Sequence, residues 1–352
     1  AWEVCSPGTA QSFSGVGYFF GRRLQQTLGV PIGLIDNAWG GSSCETWVPR
    51  EKLENKPLYA QMLQQWDKQA AEADEPALRA EYAKVHQGWK EKMQAAVAAS
   101  NPIPNWPGPR HALLTQHRPG NLYNSRVAPL MPFAIRGAIW YQGESNASRA
   151  AQYRDLFPLM IETWRDAWGQ GDFPFYWVQL ADYMQEKEQP GQSNWAELRE
   201  AQTMALDRLP NSGEAVIIDL GEGNDIHPRN KRSVADRLAR HALANQYDVP
   251  VACASPRFES LQVTDGKAIV TLRDCGRGLM SFDTKEIHGF SIAGADDKWV
   301  EANATIIGKN QVEVSNDQVA EPVAVRYAWA DNPVCNLYSQ IGLPVTPFRT
   351  DD

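Results

Sequence analysis

The sequence predicts a three-layer α/β domain over residues 1–250 followed by a smaller all-β domain over residues 251–352. Three observations lead there. Up to about residue 250, short apolar runs alternate with segments of helical periodicity, the pattern of a parallel sheet covered on both faces. Beyond that point the periodicity falls to two, with turn residues between short strands. The chain of 352 residues, 43% hydrophobic and 22% charged, is longer than one ordinary domain and can bury a sizeable core.

Taken in order, Val16, Phe20, Leu24 and Leu28 share one helix face that Gly29 terminates. Ile32-Gly33-Leu34-Ile35 reads as a buried strand, as do Arg136–Gln142, Phe175–Leu180 and Ala215–Leu220. Helices are expected over Ala150–Trp168, Trp195–Leu209 and Lys231–Tyr247. Residues 51–100 look like an inserted helical hairpin. One stripe is Tyr59, Met62, Leu63 and Trp66; the other runs from Leu78 through Tyr82, Val85, Trp89 and Met93 to Val97, with Pro76 near its start. Such an insertion serves as a structural element or as a lid. In the second domain, strands are expected at 261–263, 268–272, 290–292, 304–307, 311–314 and 323–329, with a turn at Asp265-Gly266.

A net charge of −8 argues against a protein that grips nucleic-acid backbones. No apolar run approaches the ~20 residues that span a bilayer, so no membrane association is expected. Ala1-Trp2-Glu3-Val4 lacks the basic start and apolar stretch of a signal peptide. Cys5, Cys44, Cys253, Cys275 and Cys335 have no metal-binding spacing and read as buried thiols, with a Cys253–Cys275 bridge as the alternative. Most of the thirteen tryptophans will be core, with a few available to line a glycan cleft.

Three segments could carry chemistry. Asn224-Asp225-Ile226-His227-Pro228 follows an expected strand, so His227 is placed to act as a general base with Asp225 fixing its tautomer. Trp140-Tyr141-Gln142-Gly143-Glu144-Ser145-Asn146 ends another strand. Gln142 and Asn146 offer amide donors for an oxyanion, while Glu144 is either a base or the partner of Arg136 or Arg199. Trp39-Gly40-Gly41-Ser42-Ser43 is a turn whose backbone N–H groups a ligand could approach closely.

Together, WGGSSCETW, WYQGESNA and the DIHP loop resemble the sialate O-acetylesterase family of the SGNH hydrolases. The resemblance runs through FSGVGYFFGRRL, FPFYWVQLADY, WAELREAQTMAL and the C-terminal VRYAWADNPVCNLYSQIGLPVTPFRTD, and so spans nearly the whole chain. It implies an SGNH, flavodoxin-like fold and hydrolysis of acetyl esters on sugar hydroxyls, sialic acid or plant-wall polysaccharide, with no metal or organic cofactor. It further implies His227 as catalytic base, Asp225 as its partner, Gly41 (or Gly40) as backbone oxyanion donor and Gln142 (or Asn146) as side-chain donor. SGNH enzymes in general set the Asp three residues before the His; here it is two. A secreted or periplasmic location follows from the family alone.

The family's nucleophilic serine lies in a Gly-Gln-Ser-Asn motif on the first strand of the domain. Those letters occur at Gly191-Gln192-Ser193-Asn194, but after a polar stretch and at the head of a helical segment, so the match reads as coincidence. The serine is therefore expected upstream of residue 1, on a segment that would partner this chain, with Ser193 as the alternative. Without a serine, the chain would instead be a non-catalytic glycan-binding protein or an inactive fragment.

Overall fold

The computed structural model describes residues 2–351. Its helices are α1 (Pro7–Ala10), α2 (Gly15–Leu28), α3 (Arg50–Glu54), α4 (Ala60–Ala71), α5 (Glu75–Ala98), α6 (Ala150–Trp168), α7 (Asn194–Arg208) and α8 (Lys231–Tyr247). A three-stranded parallel sheet is formed by β1 (Ala138–Trp140), β2 (Phe175–Val178) and β3 (Ser212–Ala215), in that order.

Alternation along β2 shows how the sheet is covered. Phe175 and Trp177 join a core with Leu156, Phe157 and Leu198 of α6 and α7. Tyr176 and Val178 point the other way, into a core with Leu24 of α2 and Leu238 of α8. The apolar stripe on α2 thus faces the sheet, and Gly29 ends the helix in the left-handed conformation (φ 69°), its N–H donating to Gln25 O at 2.9 Å.

Two expected strands differ from the structure. Ile32–Ile35 is extended but unpaired: among the described residues no backbone group of residues 30–36 makes a hydrogen bond. Leu34 packs against Gly21, and Ile32 joins Ile139 of β1 on the same core. β1 is likewise paired on its β2 side alone. The other difference is the run Ala215–Leu220, where the ladder occupies Ser212–Ala215 instead. Val216 and Ile218 are buried because they enter the core of the β region, while Ile217 enters the α2–α8 core. Burial between two cores gives the same apolar run as burial in a sheet.

The β region comprises β4 (Arg257–Thr264), β5 (Lys267–Arg273), β6 (Leu279–Ser281), β7 (Phe290–Ala293), β8 (Val300–Glu301), β9 (Asn303–Ile306), β10 (Gln311–Ser315), β11 (Ala324–Tyr327), β12 (Leu337–Ser339) and β13 (Phe348–Arg349). They form antiparallel sheets ordered β4-β5-β10-β9 and β13-β11-β7-β8, with a β12-β6 pair. Asp265 and Gly266 both adopt positive φ (52° and 72°), as a tight β4–β5 hairpin turn requires. Arg199 of α7 is fully buried and donates to the carbonyls of Leu180, Ala181, Ala330 and Asp331, tying the α/β region to the strand-end loop after β11. All five cysteines are free thiols, so Cys253 and Cys275 are not bridged. No helix among the described residues is long and apolar enough to cross a membrane.

Candidate active site

The three motif segments meet at the carboxyl end of the parallel sheet, where open α/β sheets bind ligands. Residues 141–146 leave β1, and the loop carrying His227 connects β3 to α8. That loop is anchored at Gly221, whose N–H donates to Asp182 Oδ1 at 2.7 Å. A Cβ at Gly221 would collide with the Asp182 backbone and side chain, so the close approach demands glycine.

His227 is 82% exposed, and its Nδ1 lies 3.8 Å from Asp225 Oδ1, beyond hydrogen-bond reach. Asp225 Oδ1 accepts instead from the backbone N–H of His227 at 2.9 Å, shaping the loop. Glu144 is the other carboxylate at this point. It pairs with neither expected arginine: Arg136 lies over the Tyr247 ring, and Arg199 is committed to carbonyls. Burial raises the Glu144 pKa, opposed by backbone N–H groups and by the nearby His227 and Lys231. Lys231, the first residue of α8, has its own pKa lowered by burial and is faced by Asp225, Glu144 and Glu222. The sequence reading overlooked Lys231; its signal was its place four residues after His227 at a helix start.

The glycine turn is held by its carbonyls. Trp39 O accepts from Ser42 Oγ (2.9 Å), Gly41 O from Ser145 Oγ (3.1 Å) and Ser42 O from Gln142 Nε2 (3.1 Å). The N–H groups of Gly40 and Gly41 make no hydrogen bond among the described residues, and Gly41 sits at φ 67°. Ser145 links this turn to its neighbour Glu144, and so to His227.

Gln142 and Asn146 are buried braces. The Gln142 amide spends both N–H bonds, on Ser42 O and on Asn146 Oδ1 (2.7 Å), while its Oε1 accepts from Tyr153 (3.0 Å). Asn146 is fully buried; its Oδ1 also accepts from Cys44 N–H (2.8 Å), and its Nδ2 donates to Glu45 (2.9 Å). Ser193 is the N-cap of α7, buried, accepting from Ala196 N–H and donating to Asp331 at 2.6 Å. Its hydroxyl is committed to structure.

A family model, "Carbohydrate esterase, sialic acid-specific acetylesterase", matches residues 6–102 and 103–244. The chain belongs to this carbohydrate-esterase family. The chain is similar to the sialate O-acetylesterases of mouse (28% identity over 97% of the chain) and human (27% over 98%). It spans 64% and 62% of the length of those two relatives. Among solved structures it is similar to a carbohydrate acetylesterase from Xanthomonas citri, with a TM-score of 0.77, 36% identity, and coverage of 99% of this chain and 68% of that one.

Proposed function

We propose that the complete protein has an SGNH, flavodoxin-like catalytic domain over residues 1–250 with the β domain over 251–352 appended. It hydrolyses O-acetyl esters on carbohydrate hydroxyls. A serine attacks the acetyl carbonyl carbon while His227 takes the hydroxyl proton. The oxyanion forms against the free N–H of Gly41, with Gly40 beside it, a term worth about 10²–10³ in rate per donor. Collapse breaks the ester bond, and the sugar oxygen leaves with the proton from His227. Water then cleaves the acetyl-serine with His227 as base, releasing acetate. Gln142 and Asn146 hold the turn in place, and Asp225 or Glu144 orients the imidazole.

The observation that carries this reading is the convergence of the exposed His227, its two carboxylates and the unpaired glycine N–H groups at one sheet end. The serine is assigned to a segment outside these 352 residues. Two observations support that assignment: β1 has one unpaired edge, and Ile32 packs on the same core within a segment, residues 30–36, whose backbone is unpaired among the described residues. An added parallel strand between them would pair both. A secreted or periplasmic location is part of the proposal and rests on the family.

The test is His227→Ala in the full-length protein, assayed for acetate release from a chromogenic acetate ester. A loss on the order of 10⁴ with an unchanged fold is expected. Activity within tenfold of the parent would remove His227 from the mechanism.

A further inference from the structure

The loop that carries His227 leans on the β region. At its root, the Asp219 carboxylate is bonded by Arg237 of α8 and by Tyr338 Oη of β12, the latter at 3.0 Å. Gly221, held by Asp182, is the next anchor. Beyond it, residues 222–227 make two hydrogen bonds outside their own loop among the described residues, and both go to the connection between β2 and α7. Met184 N–H donates to Gly223 O at 3.0 Å, and Gln185 Nε2 to Asn224 Oδ1 at 3.4 Å. From there to His227 the bonds are local: Asp225 N–H to Glu222 O, and His227 N–H to Asp225 Oδ1, both at 2.9 Å. The position of Gly223 is therefore passed to His227 through two tight turns.

Met184 is held in turn by the β region. Its carbonyl accepts from Asn332 Nδ2 at 2.7 Å, and the N–H before it, of Tyr183, donates to Asp331 O at 3.2 Å. The Asp331 carboxylate bonds Ser193 Oγ and Lys187 Nζ, at 2.6 and 2.7 Å. The chain leaves β11 for this contact through Ala328, buried and left-handed at φ 50°. Met184 is itself left-handed, at φ 77°, a costly conformation for a residue with a long side chain. That side chain is 39% exposed, so the conformation serves the backbone, which points N–H at Gly223 and C=O at Asn332. Strain of this kind persists where the surroundings over-determine it. Gly223 completes the contact: a Cβ there would lie 2.9 Å from Met184 O and 3.1 Å from Asn332 Nδ2.

We infer that Asn332 is a positioning residue of the esterase site: through Met184 and Gly223 it fixes the loop that sets His227, which makes the β region part of the active-site frame. The inference rests on the reading of His227 as the base. The His227 ring is largely exposed and makes no hydrogen bond among the described residues, so its loop backbone is what places it. Proton transfer depends steeply on that placement, since a shift of about 1 Å can cost about 10²-fold in rate.

The experiment uses the full-length protein and p-nitrophenyl acetate, with kcat and KM measured separately. Asn332→Ala should lower kcat about 10-fold or more, because His227 serves both acylation and deacylation, while KM stays within about twofold. Its melting temperature should stay within about 3 °C of the parent, since one partly exposed hydrogen bond is lost. Asn332→Asp has the same size without the N–H, and its kcat should fall at least as far. Lys187→Ala removes a contact between the same two segments that lies off this path, and should leave kcat within about twofold. Gly223→Ala should reproduce the Asn332→Ala loss. The double variant should fall no more than about twofold below the worse single one, because both break the same strut. A kcat within about twofold of the parent in both Asn332 variants, an equal loss in Lys187→Ala, or losses that multiply in the double variant would overturn the strut. Retained activity in His227→Ala would instead overturn the esterase reading.

Discussion

Asn146→Ala separates a brace from an oxyanion donor. The side chain is fully buried and joins three groups: it accepts from Cys44 N–H and Gln142 Nε2 and donates to Glu45. Removing it leaves the buried Cys44 N–H unsatisfied, at about 1–3 kcal/mol, and takes a donor from the Glu45 carboxylate, at about 1.5–3 kcal/mol. Glu45 keeps Arg149, so the combined cost should be on the order of 3–5 kcal/mol, a large part of the 5–15 kcal/mol typical of a folded protein. The melting temperature should therefore fall by on the order of 10 °C. Intrinsic tryptophan fluorescence reports the melt, and acetate release at a temperature where both proteins are folded reports the rate. Asn146→Asp should also be destabilised, because it keeps the acceptor for Cys44 but sets a second carboxylate against Glu45. A shift below about 2 °C together with a 100-fold fall in kcat would refute the brace and make Asn146 an oxyanion donor.

Two further outcomes follow from the same structure. Glu144→Gln and Asp225→Asn, compared in the full-length enzyme, should show which carboxylate orients His227; the larger fall in kcat is expected for Glu144, since Asp225 bonds the His227 backbone, and equal losses or the reverse order would reject that assignment. In the sheet, burial raises the Glu214 pKa to about 7 and lowers that of His241 to about 4. Glu214 costs stability as pH rises from its unfolded value of 4.5 through 7, whereas His241 costs stability as pH falls from 6.5 toward 4, so between pH 7 and 5 the two trends, each about 2 kcal/mol, oppose one another. Glu214→Gln should unmask His241 and lose about 2 kcal/mol from pH 7 to pH 5 in urea titrations, where the parent changes little; an unchanged profile in the variant would show that the pair is not balanced.

Much of the fold is legible in local pattern. Val16, Phe20, Leu24 and Leu28 are enough to place α2, and Asp265-Gly266 is enough to place a hairpin turn, because helix faces and tight turns are set by neighbours in sequence. Features that depend on distant partners are not. Ile32–Ile35 has the composition of a strand, but a strand exists only when another backbone pairs with it. Val216 and Ile218 look like sheet residues because burial, whatever its source, selects the same side chains. Gly191-Gln192-Ser193-Asn194 matches a catalytic motif letter for letter, yet Ser193 is bound to Asp331, 138 residues away in sequence.

The same limit governs the site itself. The motifs locate the residues at the sheet end, but their roles depend on which donors are already spent. Gln142 and Asn146 are the residue types expected to meet an oxyanion; Gln142 has both amide N–H groups on protein acceptors, and the Asn146 amide donates to Glu45. Gly40 and Gly41 have N–H groups that are left open among the described residues. Arg149 gives one N–H to Glu45 and another to Gln152. Hydrogen-bond donors are finite, so each one given to the scaffold is withdrawn from the substrate. Which of the candidate donors remain open is therefore read from their partners in three dimensions, which residue type alone does not give.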